Sequence, residues 1–136
     1  MKNLVYLLDS DSCIYLIKQR PVAVAQRLAD LPSGQAGISV ISHGELWRGA
    51  LRSQQPERNL AALAQLVSVL PVQSLPVEAG MAYGQIRAVL EGMGTPIGNN
   101  DCWIAAHAVA AELILVTNDI REFARVENLR LENWVS

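Results

Sequence analysis

The chain has 136 residues, 51% of them hydrophobic and 5% aromatic, with a formal net charge of −2. That length suits one domain with a sizeable core and is short for two. The faintly acidic balance excludes a globally basic nucleic-acid binder, so a polyanionic partner needs a local basic rim or a metal ion.

Cys13 and Cys102 are the only cysteines, without a CxxC or Cys/His cluster, which argues for two buried reduced thiols rather than a disulfide or zinc site. No stretch approaches a membrane span, and the opening "MKNLVYLLDSD" is too short in its apolar run for a signal peptide. The expectation is a single cytoplasmic domain over residues 1–136, with no membrane partner.

In chain order, "NLVYLL" at 3–8 predicts a short strand buried on both faces. Ser10 or Asp11 then suits the N-cap of a helix through "CIYLIKQ". "PVAVAQRLADL" predicts a second helix with Pro21 in its first turn, ended by "PSG". "QAGISVIS" reads as strand two. Ser42 and Glu45 have the spacing of a capping box for a helix through "HGELWRGALRS".

"PERNLAALAQLVSVL" predicts an amphipathic helix opened by Pro56, and "PVQSLPV" a brief strand. A helix over "EAGMAYGQIRAVLEGMG" ends in glycines, and "TPIGNN" leads into another through "DCWIAAHAVAAEL". "ILVT" and "LRLENW" are short final strands. Short apolar strands alternating with helices imply parallel crossovers, so the fold class is α/β around one small, mostly parallel sheet.

In open α/β sheets ligands sit beyond the carboxyl ends of the strands. Asp9 follows "LVYLL" and Asp119 follows "ILVTN", two such ends. Asp101 heads a helical stripe continued by Ile104, Ala105 and Ala108, so it faces the protein. It also sits in a first turn, where the helix dipole favours an acid. Glu45 starts the helix after strand two, near the same edge.

The only lysines are Lys2 and Lys18, and clustered carboxylates lacking a lysine call for a hard cation such as Mg²⁺ or Mn²⁺. Glu122 reads as solvated or paired with Arg121 or Arg125. His107, six residues after Asp101 and off its face, reads as structural. Trp47 and Trp103 read as core residues, with base stacking the sharper alternative. Lys18, Arg20, Arg48, Arg52 and Arg87 are candidates for a basic rim.

"LLDSDSC" resembles the DxD loop of haloacid-dehalogenase-type phosphatases, in which Asp9 would be the nucleophile and Asp11 the acid. That family needs a downstream lysine to hold phosphate, and none follows Lys18. A second resemblance covers nearly the whole chain. "LDSDSCIYLIK", "ISVISHGELWRGA" and "GTPIGNNDCWIAAHAVAAELILVTNDIREFARVENLRLENW" are similar to successive motifs of PIN-domain ribonucleases, specifically the VapC toxins of bacterial toxin–antitoxin pairs.

The resemblance implies a PIN-like three-layer fold. It implies that Asp9, Glu45, Asp101 and Asp119 bind one or two Mg²⁺ or Mn²⁺ ions, with Thr117 supporting them by hydrogen bonding. Asp11 stands where such chains usually carry asparagine, and is read as a helix cap. The implied reaction is endonucleolytic hydrolysis of RNA, leaving a 5′-phosphate and a 3′-hydroxyl.

The substrate it implies is tRNA, initiator tRNA foremost. The implied partners are a second copy of the chain and a VapB-like antitoxin, through which alone operator DNA is met. A non-catalytic module with a PIN fold is the remaining alternative.

Overall fold

The computed structural model describes residues 3–135, so Lys2 lies outside the described residues. Among these the elements are β1 (Tyr6–Leu8), α1 (Ser10–Lys18), α2 (Val22–Ala29), β2 (Ala36–Ser39), α3 (Val40–Leu51) and α4 (Pro56–Val69). They continue with β3 (Val72–Gln73), α5 (Ala79–Gly92), α6 (Asn99–Ala110), β4 (Ile114–Val116), α7 (Ile120–Phe123) and β5 (Arg130–Glu132). The sheet is five-stranded and parallel throughout, in the order β3-β2-β1-β4-β5. Strand order reverses between β1 and β4, which opens a crevice at their carboxyl ends.

Side chains alternate across the sheet with period two, and the core divides accordingly. Leu7 and Leu115 pack on one face with Leu90 of α5 and Ile104, Ala105 and Ala108 of α6. Leu8, Ile38 and Val116 pack on the other, against Cys13, Leu63 and Leu66 from α1 and α4. The result is the expected three-layer α/β architecture. Both cysteines are free and buried, as read from the sequence.

Several boundaries differ from the sequence reading, each for a local reason. The first strand begins at Tyr6 rather than Asn3, because the N–H groups of Val5 and Tyr6 both donate to the Gln35 carbonyl as the chain enters the sheet. Neither Ser10 nor Asp11 caps α1; Asp9 does, its carboxylate accepting from Ser12 N–H at 2.9 Å. Pro21 occupies the N-cap of α2, just before the first turn.

The capping box at Ser42 and Glu45 is absent. Strand two stops at Ser39, whose hydroxyl accepts from Ile41 N–H and starts α3 three residues early. Ser42 is thereby carried into the helix, where its Oγ is buried without a hydrogen-bond partner. Glu45, released from a capping role, is available elsewhere. The short α7 escaped the sequence reading; it is capped by Asp119, whose carboxylate accepts from Glu122 N–H.

Gly37, in the middle of buried β2, is the one strand residue that must lack a side chain. A Cβ there would lie 2.9 Å from the Pro71 carbonyl oxygen, a backbone atom that cannot yield. Gly37→Ala is therefore expected to destabilise the fold by about 1–3 kcal/mol through overpacking, read as a lower urea midpoint at unchanged slope. An unaltered midpoint would show that β2 and β3 separate freely.

Candidate active site

Strands β1 and β4 pair Leu8 with Val116, so Asp9 and Thr117 emerge side by side from the sheet. Asp9 N–H donates to the Val116 carbonyl, extending the ladder by one rung. The Asp9 side chain is 5% exposed and Thr117 1%. Burial pushes the Asp9 carboxyl up, against the opposing influence of hydrogen bonds from Thr117 and Ser12; the charge of Asp11 adds to the rise. Thr117 Oγ1 also accepts from Asp119 N–H at 2.9 Å, so one hydroxyl bridges the loop that carries Asp119 to the side chain of Asp9.

Helix α6 opens at Gly98, which offers no capping side chain, and Asp101 stands in its first turn. Asp101 is the hub of the acids. Its carboxyl is pushed up by burial and by the charges of Glu45, Asp11 and Asp119, while a hydrogen bond to Glu122 acts the other way. Glu45 arrives from α3 and is held by two donors, Ser10 Oγ at 2.5 Å and Asn100 Nδ2 at 3.2 Å.

Glu122 corrects the sequence reading. It pairs with neither Arg121 nor Arg125: the two ion pairs among the described residues, Arg27–Glu132 and Arg87–Glu91, lie elsewhere. Instead its carboxyl is pushed up to about 8, by burial first and then by Asp101 and Asp119. Its Oε1 is buried without a hydrogen-bond partner. The signal that finds it is the three-residue step from Asp119, which becomes a shared face only once α7 is known to form.

All four acids named from the sequence thus stand at the carboxyl edge of the sheet, with Glu122 added. They are not assembled as a ready cage. Among the described residues no three His, Cys, Asp or Glu side chains are placed to hold one ion. The carboxylates turn to protein donors instead: Asp9 to Ser12 N–H, Asp119 to Glu122 N–H, and Glu45 to Ser10 and Asn100. Each such contact relieves part of their mutual repulsion.

Of the rim candidates, Lys18 lines with Glu45 a cavity of about 350 Å³ between α1, α3 and α4. Arg20, Arg48 and Arg52 are exposed. Arg87 is turned to Glu91 at 3.5 Å. Trp103 is half-buried and stacked on Tyr83, with ring centroids 3.9 Å apart. Trp47 is not a core residue: it is 46% exposed and meets only the edge of His43 among the aromatic rings. His107 is buried on Ser39, the structural placement expected of it.

A parallel sheet reversing beside an acidic crevice defines a class, and the chain belongs to the PIN-domain family, whose model matches residues 6–129. Within that family it stands with the VapC ribonucleases. Ribonuclease VapC2 of Haemophilus influenzae is 42% identical over 132 residues, which span 97% of this chain and 99% of that protein. The tRNA(fMet)-specific endonuclease VapC of Shigella flexneri is 44% identical over 131 residues, spanning 96% of this chain and 98% of that one. Among solved structures, the VapBC2 complex of Rickettsia felis bound to a promoter DNA fragment superposes with a TM-score of 0.90 at 38% identity, covering 96% of this chain and 99% of its counterpart.

The raised Glu122 carboxyl gives a signed prediction for stability. Its folded pKa, about 8, lies above its ordinary value of 4.5, so the folded state holds the proton more tightly. The stabilisation is present in full below pH 4.5 and is lost as pH rises through about 8. In EDTA, Glu122→Gln should match the parent at pH 4.5, exceed it at pH 8.5, and show a flatter melting-temperature profile between. A parallel pair of profiles would show that Glu122 is solvated after all.

Proposed function

We propose that the chain is a Mg²⁺- or Mn²⁺-dependent endoribonuclease toxin that cuts tRNA, initiator tRNA foremost, and is neutralised by a VapB-like antitoxin. The observation that carries this reading is the carboxylate cluster centred on Asp101, which leaves a Glu122 oxygen buried and unpaired. Its donors are all oxygen, and three of its carboxyls are pushed up by burial and by one another's charge, the condition a hard divalent cation relieves. The all-oxygen donor chemistry suits such an ion; among the described residues no three side chains yet form a cage, and we assign Asp9, Glu45, Asp101 and Asp119 as the ligands that would turn from their protein donors to hold it. When bound, it would supply a grip on phosphate oxygens and a water of lowered pKa for attack at phosphorus.

The protein's own part is to aim these acids and, through hydrogen bonds, to oppose the protonation that burial favours. Thr117 and Ser12 donate to Asp9 and so favour its charged form against the cost of burial. Ser10 and Asn100 fix both oxygens of Glu45. Lys18, which lines one cavity with Glu45, supplies positive charge there, where a phosphate backbone can be met. A phosphatase using Asp9 as nucleophile fits poorly, because one carboxylate oxygen is committed to the start of α1 and the group is nearly sealed from solvent.

The proposed antitoxin has a track to follow. Cavities of about 480, 240 and 350 Å³ succeed one another along the seam of α1 and α4. The first two share Leu16, Leu28 and Val69, and the last two share Ile17 before reaching Lys18 and Glu45. An apolar segment laid there would bring a basic residue to the acids, the mode of helix or strand capture seen generally in grooves. Operator DNA would be met only through that partner, as part of a hetero-oligomer.

A second copy of the chain suits the exposed apolar side chains of α3 (Trp47, Leu51) and α5 (Met81, Val89). No helix of the described residues is long and apolar enough to cross a membrane. A tRNA substrate would put the enzyme in the cytoplasm.

Sequencing of RNA 5′-phosphate ends after induction tests the reading directly. The parent chain should create new ends in one or a few tRNAs; Asp101→Asn should lower them by at least about a hundredfold, and EDTA should do the same to the purified protein. Identical end profiles from the two chains would sink the nuclease and leave the non-catalytic module.

A further inference from the structure

Two side-chain contacts join α6 to α3. The outer one is Asn100 to Glu45, at the acidic crevice. The inner one is His107 Nδ1 to Ser39 Oγ, 2.8 Å apart, between residues 2% and 0% exposed. Asn100 and His107 are two helical turns apart, so they lie in one row about 10 Å long. The contacts occur in opposite order along the two helices, which therefore run antiparallel, pinned at both ends of that row.

Ser39 is an uncommon anchor. It ends β2, and its hydroxyl oxygen already accepts from Ile41 N–H to start α3. Its hydroxyl hydrogen is thus free to point at His107. Burial lowers the pKa of that imidazole and favours its neutral form, and the tautomer with the ring proton on Nε2 lets Nδ1 accept from the Ser39 hydroxyl. The ring also borders a polar cavity of about 390 Å³ lined by Gln73 and Ser74. One hydroxyl therefore joins a strand end, a helix start and a second helix.

We infer that His107 is a positioning residue for the acidic site: through Ser39 it sets the spacing between α3, which carries Glu45, and α6, which carries Asp101. The inference rests on the proposed function insofar as Glu45 and Asp101 serve one ion. A side chain of similar bulk without an acceptor would fill the space yet leave the Ser39 hydroxyl hydrogen without a partner in a fully buried place, only its oxygen still engaged by Ile41 N–H. The two helices would then be free to shift against one another at the inner end, and Glu45 with them.

The test uses full-length protein and measures Mn²⁺ affinity by electron paramagnetic resonance without RNA, alongside RNA cleavage. His107→Leu should weaken Mn²⁺ binding roughly tenfold and lower kcat by a similar factor at unchanged KM. His107→Asn, whose Oδ1 replaces the Nδ1 acceptor, should stay within about threefold of the parent. Ser39→Ala should also weaken Mn²⁺ binding, and the Ser39→Ala, His107→Leu double variant should be no worse than the worse single one.

Parent-like Mn²⁺ binding in His107→Leu overturns the inference, as does an equal loss in His107→Asn or additive losses in the double variant. If His107→Leu does not fold, His107→Asn and Ser39→Ala decide: a full loss in the former, or none in the latter, overturns it. A parent chain that binds Mn²⁺ but leaves RNA intact sinks only the proposed function. One that binds no Mn²⁺ sinks both.

Discussion

Carboxylates crowded at one end of a parallel sheet repel each other, and the rest of this molecule is arranged around containing that repulsion. The strand order reverses between β1 and β4, and the crevice so formed receives Asp9 from one strand and the Asp119 loop from the other. Helices on either side bring Glu45 and Asp101 to the same edge. Charges taken from water raise the free energy of the folded chain, and apolar packing on both sheet faces must offset that cost. The hydrogen bonds from Ser10, Ser12, Asn100 and Thr117 lower it locally.

The same arrangement links recognition to chemistry. Glu45 borders both the acidic crevice and the apolar seam beside α4, so anything seated in the seam ends against a carboxylate of the site. A partner filling that seam and a phosphate backbone approaching the acids would compete for the same ground. Under the proposed function, inhibition by simple occupancy would need no conformational switch.

Much of this was legible in the amino-acid order, because burial and periodicity act locally. The apolar runs before Asp9 and Thr117 announced strands, and acids just beyond them marked the functional edge. The stripe from Asp101 to Ala108 announced which way that helix faces. What escaped depended on contacts distant in the chain. Ser42 and Glu45 match a helix-start pattern by spacing alone, but Ser39 was already poised at the strand end and took the role.

Asp9 looked like an acid followed by a cap, and is both itself. Glu122 looked like one charge among nearby arginines until a four-residue helix turned it toward Asp101. Trp47 looked like core because large aromatic side chains are usually buried on average, and it stands half in solvent. Each miss has the same origin: which neighbour a polar or aromatic side chain meets is a property of the assembled layers.

Asp9 fastens the start of α1 with the same carboxylate that faces the crevice. A genetic selection for inactive variants will therefore collect changes at this position for two unrelated reasons, a loosened helix and a lost acid. Asp101 stands in the first turn of a helix whose N-cap is glycine; it makes no capping hydrogen bond there and serves the scaffold only through the helix dipole, a smaller second duty. Variants there separate the integrity of the scaffold from the chemistry of the crevice, and they make the cleaner reference for an inert but fully folded protein.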